Sequence, residues 1–373
     1  MHCTPHRWST RLAPVIAATA SLAITMAVVA DAAPVEAGGR TIIVHPNESI
    51  QAAIDRAAPN TTIIVAGGVH AEQLNITTDG LTLVGQDTQL VPPPVADPNE
   101  CTGIAASATE GGPPTEAGIC IIGHNVSFGP MTDHTAVDQV GRPVRSVRVT
   151  GFDITGFSGP YVAVAGGHDV RVDGNHLTNT DRYGVLSTGS TNTRVITNTI
   201  TGTPPGSYIG VCVDDIASPV VASNDIAGHL IGICVATTGA NVVANRVHDG
   251  CMGMYVDPGV GATITLNHIF DNNACDFFSF LEYGRGITMA GAQGTVVRLN
   301  VIEGHTAIDG RPAIRLTDDV GDGHTGTGTI ATDNVVTLNQ IVDNTLDLAS
   351  TATGSNRITR NRCDTSVPAS LCE

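Results

Sequence analysis

Residues 198–247 read NTITGTPPGSYIGVCVDDIASPVVASNDIAGHLIGICVATTGANVVANRV, and this run returns to one short phrase. The phrase is Asn-x-hydrophobic, a turn, and then Gly-hydrophobic-x-Val. Outward from this run, the Asn member stands at Asn175, Asn198, Asn224, Asn245, Asn267 and Asn300, with spacings of 23, 26, 21, 22 and 33 residues. The Gly member stands at Gly184, Gly210, Gly232, Gly253 and Gly286. A period in this range marks stacked repeats.

Within each unit the apolar residues alternate, as in Val170 and Val172 or Ile233 and Val235. That is a period of 2, the signature of strands. No long amphipathic run separates them, so neither a leucine-rich repeat nor a βαβ array fits. Three short strands and three turns in one period make one coil of a parallel β-helix. Successive coils then pair in register, about 4.8 Å apart along the axis. A tight turn needs a residue near the left-handed region, and Asn tolerates that conformation. Stacked Asn amides are expected to hydrogen-bond along the column.

These residues carry a resemblance. Over about residues 40–363 the chain is similar to the right-handed parallel β-helix superfamily, the pectate-lyase-like group. Its repeats resemble the generic parallel β-helix repeat of exported carbohydrate-active proteins. The resemblance implies an all-β, single-stranded right-handed parallel β-helix solenoid with a short N-terminal capping helix. It implies no single activity, because this fold hosts lyases, hydrolases, epimerases, esterases and plain binding proteins.

Composition agrees with the fold and narrows the function. The chain has 373 residues, 42 of them Gly, 3% aromatics and no Lys. A formal net charge of −17 excludes nucleic acid as a partner, since that asks for a basic surface. Residues 1–33 read as a signal peptide, with basic His6, Arg7 and Arg11, an apolar run from Leu12 to Ala30, and small residues for cleavage. An uncleaved anchor is the alternative, since the run is about long enough to span a bilayer. The expectation is a secreted or cell-envelope monomer, free of the membrane after cleavage. The β-helix is expected over 34–363, with insertions at 86–145, 271–285 and 318–329 and a C-terminal tail at 364–373.

Past the signal, eight cysteines are candidates for disulfides in an exported chain. Cys101 with Cys120 would close the first insertion, and Cys363 with Cys372 would pin the tail. Cys251 and Cys275 fall near equivalent turns of adjacent coils. Cys212 and Cys234 both lie two residues after a repeat Gly, so they face each other on adjacent strands. A disulfide there is strained, and two thiols are the alternative.

Residues 41–85 resemble the N-terminal cap of pectin methylesterases and related exported β-helix proteins. A helix over Ser49–Ala58, with Ile50, Ala53, Ile54 and Ala57 on one face, would plug the open coil end. Further on, Phe152 takes the first ladder position in place of Asn.

Chemistry is expected on the outward columns. In Gly-Φ-x-Φ-x the Φ positions point into the core. The first outward column then reads Leu186, Cys212, Cys234, Tyr255, Thr288, Arg315, and the second Thr188, Asp214, Ala236, Asp257, Ala290, Thr317. Asp214 and Asp257 would stand two coils apart, about 9.6 Å at the backbone. That spacing suits a general acid and base with room for water and a sugar ring. With Tyr255 and Arg315 they are the expected catalytic set, both carboxylates facing solvent. Asp215, Arg285 and His229 are the expected substrate-binding residues, and polysaccharide is the expected partner.

Family motifs match only in part. Asn179-Thr180-Asp181 and Asp214-Asp215 echo polygalacturonases, but they do not share a column. Mannuronan epimerases carry Asp-Pro-His on an outward strand, and Asp257-Pro258 resembles this, with Gly259 in place of His. Asp276-Phe277-Phe278 and Gly310-Arg311-Pro312 echo pectin methylesterases. Calcium is the one cofactor the carboxylates would suit, either at Asp214, Asp215 and Asp257 or in the loop Asp318-Asp319-Val320-Gly321-Asp322-Gly323. Two functions follow. One is a polysaccharide hydrolase, lyase or epimerase. The other is a non-catalytic envelope or surface protein that binds glycan, metal or protein.

Overall fold

Each repeat contributes three strands, and the coil that opens with Tyr183–Thr188 shows why. Arg194–Ile196 and Thr199–Gly202 complete it, and the next coil begins at Ile209–Asp214. The computed structural model describes residues 39–105, 114–131, 135–203, 207–274, 284–306, 309–319 and 328–372, which all belong to one unit. The signal segment 1–33 therefore lies outside the described residues.

Among the described residues, pairing between coils is parallel and keeps register, apart from shifts between Thr178 and Thr180 and between Val84 and Thr88. Val185, Val211, Ile233, Met254, Ile287 and Ile314 follow one another along an 11-stranded sheet of longer strands. The two short strands of each coil build a 19-stranded sheet around the other sides. The core is a set of β-branched columns. Val195, Val221, Val242, Ile264, Val297 and Val336 pair in succession, and each is 0% exposed. Burying such a side chain contributes roughly 1.5–3 kcal/mol, and stiff χ1 angles suit the strand.

The turns correct one expectation. Asn175, Asn198, Asn224, Asn245, Asn267, Asn300, Asn339 and Asn361 do form a continuous amide ladder, each Nδ2 donating to the next Oδ1 at 2.9–3.1 Å. Yet none of them adopts the left-handed conformation. That falls to the residue before each: Gly174, Thr197, Ser223, Ala244, Leu266, Leu299, Leu338 and Arg360. The Asn side chains point inward and cap buried backbone. Asn224 Nδ2 also donates to the Val195 carbonyl at 2.9 Å, and its Oδ1 accepts the Asn198 N–H at 2.9 Å. Phe152 stands at the head of the ladder, its N–H donating to Asn175 Oδ1 at 3.1 Å.

The repeat Gly answers a steric need. A Cβ on Gly184, Gly210, Gly232, Gly253 or Gly286 would lie under 3.0 Å from a core Ile or Val methyl group. At this kink Gly and the following residue both face inward. The residue before Gly and the one two after it face outward.

The first coil is plugged as expected, by a shorter helix than the reading gave. Ile50–Asp55 is helical, with Ile50, Ala53 and Ile54 buried. Ser49 caps it, and Glu72 accepts from the Ser49 hydroxyl and from the Ile50 and Gln51 amides. The helix ends at Asp55 with Arg56 as its C-cap, and Pro59 disfavours helical geometry at Ala58, the residue ahead of it. Among the described residues, no helix is long and apolar enough to cross a membrane.

The insertion at 86–145 is more ordered than a loop. Ile119–Ile122 enters the long-strand sheet, and His124–Met131 with Thr135–Arg142 forms an antiparallel hairpin. Cys101–Cys120 is bonded, with Cα atoms 5.6 Å apart. Cys363–Cys372 is bonded too, and the expected tail instead adds a final strand, Ser366–Val367, to the long-strand sheet. Cys251 is disulfide-bonded, and its expected partner Cys275 lies outside the described residues. Cys212 and Cys234 are not joined and remain thiols.

Candidate functional site

The outward column of the long-strand sheet forms as expected. Leu186, Cys212, Cys234, Tyr255, Thr288 and Arg315 stand in register on six successive strands. The two ends of the column differ. Cys101, Ile104, Ala117 and Cys120 from the insertion cover Leu186 and Cys212 in a second apolar cluster. The hairpin adds a bond from the Val137 N–H to Thr188 Oγ1 at 3.0 Å. Beyond Cys234 the column is only partly accessible: Tyr255 and Arg315 are half-buried, while Thr288 between them is 0% exposed and accepts the Gly284 N–H at 2.8 Å.

Asp214 and Asp257 share the second column, as read. They differ in environment. Asp214 is half-buried and accepts from the Thr188 hydroxyl at 3.1 Å, beside the hairpin. Asp257 is only 4% exposed, which corrects the expectation that it faces solvent. Its carboxylate accepts the Tyr255 hydroxyl at 2.7 Å. Tyr255 and Asp257 are two residues apart on the same outward side, so the strand period brings them together.

Arg285 sits just before its repeat Gly, where the kink turns the side chain outward. It is 4% exposed and pairs with Asp309, whose carboxylate Arg311 Nε also reaches at 3.0 Å. Arg285 Nε and Nη1 have no hydrogen-bond partner among the described residues. Burial holds the Arg311 guanidinium below its ordinary pKa against the pull of Asp309, and Arg285 and Arg315 lower it further. Two guanidinium groups thus share one carboxylate, and Arg315 lies near enough to act on Arg311 through its charge.

Two expected binding residues are not on this face. Asp215 follows outward Asp214 and so points inward. It is 5% exposed, accepts from the Ser187 hydroxyl at 2.6 Å, and is pushed up to about 6, mainly by burial. His229 is 3% exposed, its Nε2 lies 2.7 Å from the Thr180 hydroxyl, and burial drives it down to about 4. It belongs to a second inward turn column with Gly250, Asn272, His305 and Asn344. There the Gly250 N–H donates to Asn272 and the His305 N–H to Asn344, both at 3.0 Å.

Sequence reasoning missed the roles of Asp309 and Arg311, although Gly310-Arg311-Pro312 had drawn notice as a motif. It also missed the second turn column. The signal was present, since each member lies five residues after a ladder Asn.

The carboxylates expected for calcium can be placed in part. Asp214 faces outward, Asp215 inward, and Asp257 stands two coils away. Asp318 accepts from the Ala331 N–H and the Thr353 hydroxyl, and the loop beyond it at 320–327 lies outside the described residues. Among the described residues, no group of three or more His, Cys, Asp or Glu side chains is placed to hold a metal. Residues 275–283 of the second insertion also lie outside them.

Comparison with known proteins agrees with the fold. A family model described as "Right handed beta helix region" matches residues 140–275. The A-module of mannuronan C-5 epimerase AlgE6 from Azotobacter vinelandii superposes with a TM-score of 0.53 at 14% identity, covering 85% of this chain and 92% of that one. The periplasmic alginate epimerase AlgG superposes with a TM-score of 0.52 at 12% identity, covering 87% of this chain and 83% of that one. No curated protein matches by sequence. At these identities the likeness shows architecture, and the chain is a right-handed parallel β-helix.

Proposed function

We propose that this chain is an exported polysaccharide-acting protein whose site lies on the long-strand face between Tyr255 and Arg315. The carrying observation is the Tyr255 hydroxyl bonded to buried Asp257 at 2.7 Å, beside the cluster of Arg285, Arg311 and Arg315. Guanidinium groups bind carboxylates bidentately. A uronate carboxylate held there becomes a better electron sink, which acidifies the adjacent ring C–H. The Tyr255 oxygen then moves the proton, with Asp257 fixing its orientation. This chemistry belongs to a lyase or an epimerase rather than a hydrolase. Two of the similar structures are alginate or mannuronan epimerases, which supports the reading, as does Asp257-Pro258.

A second reading keeps the glycan and drops the turnover. Gly259 stands where the epimerase motif has His, and so removes one proton-transfer group. The test is to incubate the protein with uronate polymers, following ultraviolet absorbance for unsaturated products and proton NMR for inverted C5 centres. Tyr255→Phe should lower turnover by about 10²–10⁴-fold. Retained turnover in that variant rejects the catalytic role. Binding of uronate polymers without any product selects the second reading, and neither binding nor turnover rejects both.

A further inference from the structure

The thiols of Cys212 and Cys234 have no part in the chemistry above. They occupy facing positions on adjacent parallel strands. Their strand neighbours Val211, Val213, Ile233 and Val235 belong to the solenoid core, so both cysteines point outward, in the same direction. Parallel side chains on paired strands keep their Cβ atoms one strand spacing apart, about 4.8 Å. A disulfide wants about 3.5–4.5 Å between Cβ atoms. The thiols are thus held close without being able to close on each other.

We infer that this pair is a binding site for one soft, two-coordinate cation of the Cu(I) class. With metal–thiolate bonds of about the 2.3 Å seen for zinc, two set in line span about 4.6 Å, close to the strand spacing of about 4.8 Å. The surroundings select the ion. Tyr183, Leu186, Ile209, Tyr208 and Ile231 wall the pair on its outer side. Hard cations need several oxygen ligands, whereas thiolates select Cu(I). Binding is an exchange without redox change. Each Sγ–H loses its proton to solvent, and each thiolate gives an electron pair to the metal, so two protons leave per cation bound. Cys234 is half-buried and stands next in register to Tyr255, so the ion has a way in and would sit at the covered end of the groove.

The test uses the full chain as exported, with Cu(I) as the probe under anaerobic conditions and a chromogenic Cu(I) chelator as competitor. One Cu(I) per chain should bind, with two protons released. Cys212→Ser and Cys234→Ser should each weaken binding by at least about 100-fold, because one thiolate loses the advantage of two held together. Circular dichroism of the apo variants checks folding, and Cys234→Ala carries the test if the buried Cys212 tolerates no change. Binding within tenfold of the parent in either Cys234 variant overturns the inference. So does a Cys212–Cys234 disulfide found by mass mapping of the exported protein, or the absence of Cu(I) binding.

Discussion

The imidazole Nδ1 of His305 accepts the backbone N–H of Asn272, one coil earlier, at 3.2 Å. Only a neutral ring accepts there. Burial, helped by the charge of Arg285, drives His305 down to about 3, and burial drives His229 down to about 4. Unfolded, both titrate near 6.5. The unfolded chain therefore binds more protons below about pH 6.5, and stability falls as pH drops from there to about 3–4. Asp215 works the other way. Its folded value near 6 lies above 3.8, so the native state holds the extra proton between those values and gains stability as pH falls. Two histidines oppose one carboxyl, and the net expectation is acid destabilisation between pH 6.5 and 4. Asn occupies the equivalent turn on either side, so His305→Asn should fold and flatten this part of the curve. Urea midpoints across the range, unchanged in slope with pH for His305→Asn, would contradict the assignment.

The amide ladder should be costliest to break in its middle. Asn245 donates to the Val221 carbonyl and to Asn267 Oδ1, and accepts from the Asn224 N–H and Nδ2. Asn245→Ala strands several buried polar groups, at about 1–3 kcal/mol each. Asn361 closes the ladder, and no further ladder Asn follows it to be stranded. Asn361→Ala loses three such bonds, from the Asn339 N–H and Nδ2 and to the Val336 carbonyl, against four for Asn245→Ala, so it should cost less in chemical denaturation.

Leu266, Leu299 and Leu338 hold φ near 57° at successive turns while 46–59% exposed. A left-handed residue other than Gly or Asn costs roughly 1–2 kcal/mol, and little packing offsets it here. Leu299→Asn is therefore expected to stabilise by about 0.5–1 kcal/mol, visible as a higher melting temperature. Leu299→Val should lower it, because β-branching makes the same conformation worse.

Asp309 pairs with both Arg285 and Arg311. Asp309→Asn takes the paired carboxylate from the buried Arg285 guanidinium, at a cost of about 3–5 kcal/mol. A bound anion should restore part of it. Galacturonate or sulfate at millimolar concentration should raise the melting temperature of Asp309→Asn more than that of the parent. Equal shifts in the two proteins would argue that the arginines do not form an anion site.

What the sequence determined by itself was the solenoid and its register. Asn at a spacing near 22 residues and Gly at a fixed phase admit one coil geometry, because a slip of one residue would turn every Val and Ile column to solvent. Hence the outward columns from Leu186 to Arg315, and the shared column of Asp214 and Asp257, were legible from spacing alone. So was the pairing of Cys101 with Cys120 and of Cys363 with Cys372. Strand phase also places Tyr255 beside Asp257, but not the burial that makes their hydrogen bond strong. Tertiary structure decided which part of the face the first insertion covers. Cover over Leu186 and Cys212 comes from a non-repeating insertion, and no period predicts where an insertion lies. The same holds for Asp309 and Arg311, which reach Arg285 from an irregular turn. It holds also for Asp215 and His229, whose inward direction depends on the kink at each turn. Periodicity specifies what every coil shares, and a site is built from what the coils do not share.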